Sequence, residues 1–188
     1  MRVNTGIYKG RKIILPEGIR PTQEKVRKAL FDILGDVEGL SFLELFAGSG
    51  SVGFEAASRL AKEVVFVEAK HQAQIAIEKN IQAFKAGNCQ LVSLEVEKAI
   101  QILARNQRKF DLIFLDPPYY QETAKKTLQT IGAYDILAPV GFAIAQHFKR
   151  DLLEDSIGKL ERFRQAKYGD TLLSFYKYAT KSDLSRNI

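Results

Sequence analysis

The stretch Ser41-Phe42-Leu43-Glu44-Leu45-Phe46-Ala47-Gly48-Ser49-Gly50-Ser51-Val52-Gly53 runs from an apolar segment into a G-x-G-x-x-G loop, then into a helix whose Val52, Ala56 and Leu60 share one face. A buried strand that ends in such a loop and opens a helix is the first unit of an alternating α/β fold. Outward from it the alternation repeats. Residues 64–67 form a second apolar run, followed by a helical stripe of Ala73, Ile77, Ile81 and Phe84. Residues 90–94 form a third run, then Val96, Ala99, Ile100, Leu103 and Ala104 recur at helical spacing. Residues 110–115 are almost continuously apolar, as suits a strand buried on both faces of a parallel sheet. A helix near residues 122–131 and a strand near 142–146 continue the rhythm.

After about residue 150 the rhythm changes. Residues 160–167 and 171–178 are two strand-like runs joined by Tyr168-Gly169-Asp170, a link too short for a parallel crossover. The expected fold is therefore α/β, a mostly parallel sheet ending in an antiparallel hairpin. Ligands in such sheets bind at the carboxyl ends of the strands. That rim carries Phe46-Ala47-Gly48, Glu68 and Asp116-Pro117-Pro118-Tyr119.

The chain has 188 residues, 46% hydrophobic and 27% charged, enough for one core without a disulfide or metal staple. One cysteine, Cys89, excludes an intrachain disulfide and a cysteine-cluster zinc site, and with two histidines no metal centre is expected. No apolar run approaches the roughly 18 residues of a membrane span, and no secretory leader is read at the start, so a cytoplasmic setting is expected. The net charge is +6, and residues 1–34 hold eight Lys/Arg against three acids. This basic front end reads equally as a polyanion-docking element or as a solvated surface. Its first 20 residues read as short strands with turns at Gly6, Gly10 and Pro16-Glu17-Gly18. A helix then follows Pro21-Thr22, with Thr22 able to cap it.

The glycine loop with Glu68 twenty residues beyond Gly48 fits a dinucleotide site, with the acid on a ribose. Two features favour S-adenosylmethionine instead. Glu44 near the loop would oppose a pyrophosphate but suit ammonium and sulfonium groups. Leu115-Asp116-Pro117-Pro118-Tyr119 suits methylation of an exocyclic amine, whose lone pair is delocalised into the base. The Asp116 carboxylate and the Pro117 carbonyl can accept the two amine N–H groups, which favours pyramidal nitrogen. The prolines hold the turn extended, and Tyr119 can stack on the base. The bland alternatives are a tight turn without ligand, a solvated acid at Glu44 and a packed surface aromatic at Tyr119.

Met1-Arg2-Val3, Gly10-Arg11-Lys12, Arg20-Pro21-Thr22, Leu45-Phe46-Ala47-Gly48-Ser49-Gly50, Asp116-Pro117-Pro118-Tyr119 and Tyr168-Gly169 together resemble the bacterial 16S rRNA guanine-N2 methyltransferases (RsmD-like). The resemblance runs over nearly the whole chain. It implies a Rossmann-like class I methyltransferase fold with a mostly parallel seven-stranded sheet, a C-terminal hairpin and a small N-terminal β/α extension. Residues 1–36 would form the basic extension and 37–188 the methyltransferase unit. It implies S-adenosyl-L-methionine as cofactor and 16S rRNA as partner, within a small-subunit particle, with no membrane and no obligate protein partner. Glu44, Phe46, Ala47, Gly48, Gly50, Glu68 and Asp116 would line the cofactor site. Glu95 and Val96 stand where members often carry Asp-Ala beside the adenine, a weaker match. Asp116, Pro117 and Tyr119 would hold the guanine. Arg11, Lys12, Arg20 and Thr22 are the RNA-contact candidates, Arg20 and Thr22 alternatively covering the methionine end.

A DNA adenine-N6 methyltransferase shares the Asp-Pro-Pro-Tyr chemistry, but the roughly 40 residues after the core leave no room for an element reading base edges. An exposed loop base in RNA needs less. A dinucleotide-dependent oxidoreductase and a noncatalytic RNA-binding module are the further alternatives. His147, after the fifth strand, could be a base, but the amine proton can leave to water, and His147 reads as packing or surface.

Overall fold

A computed structural model describes residues 1–18, 22–118 and 122–179. The apolar runs form strands and the periodic segments form helices. In chain order these are α1 (Glu24–Leu34), β1 (Ser41–Leu45), α2 (Ser51–Ser58), β2 (Glu63–Val67), α3 (His71–Phe84), β3 (Cys89–Val92), α4 (Val96–Arg105), β4 (Phe110–Leu115), α5 (Thr123–Tyr134), β5 (Leu137–Phe148), β6 (Ser156–Ile157), β7 (Leu160–Tyr168) and β8 (Thr171–Tyr178). They build one sheet of eight strands in the order β3-β2-β1-β4-β5-β8-β7-β6. The pairs β1–β2, β2–β3, β1–β4 and β4–β5 are parallel. The pairs β5–β8, β7–β8 and β6–β7 are antiparallel. This is a Rossmann-like doubly wound sheet ending in a hairpin. It has one strand more than the expected seven, because the two-residue β6 adds a short edge.

Side chains alternate between the two sheet faces. Phe42, Val64, Phe66, Leu112 and Phe114 pack with Val26, Leu30 and Phe31 of α1, Phe54 of α2 and Ile77 of α3. Leu43, Val65, Ile113 and Leu115 pack with Val96, Ala99 and Ile100 of α4 and Leu128 and Ile131 of α5. Val3 and Ile13 of the front end are buried in the first of these clusters.

The front end departs from the expected strands. Among its described residues it forms an isolated antiparallel bridge, Arg2 with Lys12, rather than a ladder. Backbone bonds from the Val3, Gly10 and Ile13 N–H groups to the Arg11, Val3 and Met1 carbonyls close it on itself, and side chains fix it to the body. Glu55 of α2 accepts from the Asn4 and Thr5 backbone N–H groups at 2.7 and 3.1 Å, and Asn80 of α3 both accepts from and donates to the Ile14 backbone. A run that folds back on itself over a single bridge has no sustained alternation for a sequence reading to find. The Thr22 cap is also corrected: the residue before α1 is Gln23, with no side-chain cap bond, and the Thr22 hydroxyl donates to Asp116 instead. Among the described residues no helix is long and apolar enough to cross a membrane.

Candidate active site

The strand order reverses between β1 and β4, since β1 leads outward to β2 and β3 while β4 leads the other way. Loops leaving two strands at such a point diverge and open a crevice at their carboxyl ends. A cavity of about 690 Å³ occupies it, within the range of a small-molecule site. Its lining includes Glu44 from β1, Phe46, Ala47, Gly48 and Ser49 from the loop, Glu68 and Lys70 after β2, and Asp116, Pro117 and Pro118 after β4. Thr22, Gln23 and Val26 close it from the front end, and Gln146, Phe148, Asp170 and Thr171 from the hairpin side.

The loop is tied at both ends. Phe46 adopts a left-handed backbone (φ 58°), uncommon for a non-glycine residue and a mark of local strain. The Gly48 N–H donates to Glu68 Oε2 at 2.7 Å and the Lys70 N–H to Oε1 at 2.8 Å. Each Glu68 oxygen retains lone-pair capacity for a ligand hydroxyl. Gly50 caps α2 with φ 69°. A Cβ there would lie 2.9 Å from the Phe54 and Phe66 rings, so Gly50 serves the turn and the packing and does not line the cavity.

Glu44 is 2% exposed, and its Oε2 accepts from the Gly53 N–H at 2.8 Å, at the start of α2. Burial pushes its carboxyl up to about 8; hydrogen bonds from the Gly53 and Val52 backbones oppose this, and the charges of Asp116 and Glu68 reinforce it. A Cβ on Gly53 would come within 2.4 Å of Phe66 Cε1 and 2.7 Å of Glu44 Oε2. Gly53→Ala is expected to cost about 1–3 kcal/mol by overpacking. Its denaturation midpoint should fall accordingly, and an unchanged midpoint would show that the helix and strands shift apart at no cost.

Asp116 follows β4. Its Oδ2 accepts from Gln146 Nε2 at 2.8 Å and from Thr22 Oγ1 at 3.3 Å. Burial pushes its carboxyl up to about 7, while those two hydrogen bonds act downward. Gln146 is 4% exposed, and its Oε1 has no hydrogen-bond partner among the described residues. An orphaned buried acceptor costs about 1–3 kcal/mol. The amide tolerates it because the opposite orientation would set an oxygen against the Asp116 carboxylate.

The expected residues thus divide. Glu44, Phe46, Ala47, Gly48, Glu68, Asp116, Pro117 and Thr22 line one cavity. Glu95 is exposed in front of α4, and Val96 is buried in the cluster beneath α4; neither lines it. Arg11 and Lys12 are elsewhere: the Arg11 guanidinium donates to the Phe84 and Ala83 carbonyls at the C-terminal end of α3, at 3.3 and 2.5 Å. Tyr119 and Arg20 lie outside the described residues. His147 is buried, with Nε2 2.9 Å from Ser174 Oγ in the sheet, and lines not this cavity but a smaller one beyond Pro117 and Pro118. Sequence reasoning missed Gln146, Lys70 and Thr171. A glutamine directly after the apolar run Ala143-Ile144-Ala145 was the available signal for Gln146.

Comparison with known proteins identifies relatives of the chain. The family described as conserved hypothetical protein 95 matches residues 1–177. "Putative rRNA methyltransferase YlbH" of Bacillus subtilis is 34% identical over 181 residues, covering 94% of this chain and 98% of that protein. The ribosomal RNA small subunit methyltransferase D of Haemophilus influenzae is 34% identical over 144 residues, 74% of each chain. A solved structure of a hypothetical protein from Thermus thermophilus superposes with a TM-score of 0.82 at 29% identity, covering 94% of this chain and 99% of that one. Matched from its first residue almost to the end of its last strand, the chain belongs to this family, that of the bacterial ribosomal RNA small subunit methyltransferases D.

Proposed function

We propose that the protein transfers a methyl group from S-adenosylmethionine to the exocyclic N2 amine of a guanine in 16S rRNA. The observation that carries this reading is the Asp116 carboxylate, pinned through Oδ2 beside Pro117 in the same cavity as Glu44 and Glu68. The names of the relatives, which refer to the small-subunit ribosomal RNA, supply the substrate class.

The cavity suits a cationic cofactor. Glu44, Glu68, Asp116 and Asp170 line it together with Lys70. A pyrophosphate would meet four acidic side chains against the single Lys70, and would gain nothing from the ionisation of any of them, which disfavours the dinucleotide reading. Burial holds Glu44 and Asp116 toward their neutral forms, and a positive ligand would draw both to the ionised form. Glu44 and Asp116 would face the methionine and sulfonium end, Glu68 the ribose hydroxyls, and Phe46 and Ala47 the apolar edge. Bound there, the cofactor supplies an electrophilic methyl group.

The chain supplies positioning. Thr22 and Gln146 both hold Oδ2 of Asp116, so Oδ1 remains the acceptor for one amine N–H. The Pro117 carbonyl can take the second. With both N–H bonds occupied, the nitrogen lone pair projects out of the base plane, and catalysis is chiefly orientation and preset acceptors. The surplus proton leaves to water.

A protonated Asp116 is the weaker acceptor. With both substrates subsaturating, kcat/KM should rise with pH as Asp116 and Glu44 ionise, through about 7 to 8, and then level. Gln146→Met removes a bond that favours the carboxylate, so its acidic limb should move to higher pH. A superimposable profile would detach Gln146 from the ionisation of Asp116.

The deciding experiment is incubation with labelled S-adenosylmethionine and undermethylated small ribosomal subunits, followed by nucleoside analysis. Label in N2-methylguanosine of 16S rRNA is expected. Label in another nucleoside, or none, rejects the reading.

A further inference from the structure

Arg11 and Arg27 of the front end do not line the cavity. Arg11 grips the last carbonyls of α3 and lies over the Phe84 ring at 4.9 Å. Lys70, immediately before α3, lines the cavity. The 14 residues of α3 therefore separate the two, about 21 Å of helix. Arg27 is fully buried.

A second basic cluster lies at the cavity mouth. Phe148, Asp170 and Thr171 line the cavity, and Phe148 pairs with Thr171 across β5 and β8. Lys149 and Arg150 follow Phe148 directly, and Lys167 pairs with Leu172 across β7 and β8. All three are exposed. They surround one carboxylate, Asp170, which Lys149 Nζ contacts at 2.6 Å and whose pKa Lys149, Arg150 and Lys167 all lower. The rim beyond Pro117 and Pro118 has the opposite polarity. A second cavity of about 390 Å³ there is lined by Glu122, Asp151 and Glu154 with Lys125, which is paired to Glu154. A polyanion crossing the mouth is attracted on the hairpin side and repelled on the other.

We propose that Lys149 and Arg150, directly after β5, and Lys167, near the end of β7, form the docking surface for the RNA sugar–phosphate backbone flanking the target nucleotide. This rests on RNA being the substrate and gives the strand a direction over the site. None of the three lines the cavity, and they reach it only through Asp170, so their charge acts on binding rather than on Asp116 or Glu44.

The test compares the full chain with Lys149→Glu/Arg150→Glu/Lys167→Glu and with Lys9→Glu/Lys12→Glu. Arg11 is left in place because it holds α3. Binding to undermethylated small subunits is measured by sedimentation across roughly 50–200 mM salt, with melting temperature as a check of folding. Three lost phosphate contacts should lower the slope of log K against log salt by about 2 and weaken binding tenfold or more. The kcat at saturating subunit should be kept. A larger loss of slope in the Lys9/Lys12 variant, or an unchanged slope in the hairpin variant, overturns the proposal. A wild-type protein that binds subunits with this salt dependence but transfers no methyl group refutes the function and leaves the docking surface standing. Normal transfer with an unchanged slope in the hairpin variant refutes the docking surface alone.

Discussion

Asp116→Ala lowers methyl transfer to ribosomal RNA by about three orders of magnitude while the protein stays folded; that is the expected result. The size follows from two losses together. A preset acceptor at a reacting group is worth about a hundred- to a thousandfold, and the amine also loses its orientation. The carboxyl also affects folding in a way that depends on pH. Its pKa is raised from 3.8 to about 7 by burial, so the folded state binds its proton more tightly than the unfolded state. Between those values the unfolded chain has released the proton and the folded chain has not, so stability falls as pH rises through that window. Asp116→Ala removes that slope but leaves the buried Gln146 amide without its acceptor, so its melting temperature should trail the wild type by less at pH 8 than at pH 5.

Asp116→Asn is expected to be nearly as damaging. Thr22 and Gln146 donate to the same oxygen, so the asparagine carbonyl would accept from both in its place and turn the amide N–H groups toward the amine. Donor would face donor. Single-turnover transfer from labelled cofactor reads both variants. An Asp116→Asn enzyme within tenfold of wild type would show that the second oxygen does no work.

Glu55→Leu carries the largest expected effect on stability. Glu55 is 1% exposed and sits between the front end and α2. Its Oε1 accepts from the Thr5 hydroxyl at 2.8 Å and from Arg59 Nε at 3.2 Å, and its Oε2 lies 4.0 Å from Arg27 Nε. Arg27 has no exposed surface. Among the described residues its Nε and Nη1 have no hydrogen-bond partner, while Nη2 donates to the Arg2 carbonyl and the Asn4 side chain. Burial lowers the Arg27 pKa, and Glu55 is the leading charge that opposes this. Removing Glu55 strands a cation in the core, at about 3–5 kcal/mol. For a chain of this size that is a fall in melting temperature of about 10 °C. Glu55→Leu/Arg27→Met should recover most of it, because no unpaired charge remains. A double variant no more stable than the single would show that Arg27 is not the source of the cost. Activity should fall with the single variant, since the same front end delivers Thr22 to Asp116.

Strands β1, β2 and β4 were legible because a strand buried on both faces is a continuous apolar run. The stripes of α1 and α4 were legible for the same reason of burial, and α4 leaves Val96, Ala99, Ile100 and Leu103 inside. The start of β5 was not. Pro139-Val140-Gly141 reads as a break, yet β5 begins at Leu137 and passes an irregularity in its pairing with β4. Gly141 is needed there because a Cβ would meet the Asp111 carbonyl oxygen at 2.6 Å. Strand β6, two residues long, is too short for any period to register.

Local sequence alone determined the order of strands and helices, the glycine turn after β1, and the acids Glu44, Glu68 and Asp116 at strand ends. Each of these depends on residues within one or two turns of chain, where spacing and backbone restriction act directly. Tertiary structure alone decided that Gln146, thirty residues on, and Thr22, ninety-four residues back, converge on one oxygen of Asp116. It also set Lys149 and Arg150, after β5, and Lys167, near the end of β7, beside the cavity-lining Phe148, Asp170 and Thr171. Charge along a chain carries no direction; which end of the sheet it reaches is settled only when α3 and the hairpin have packed.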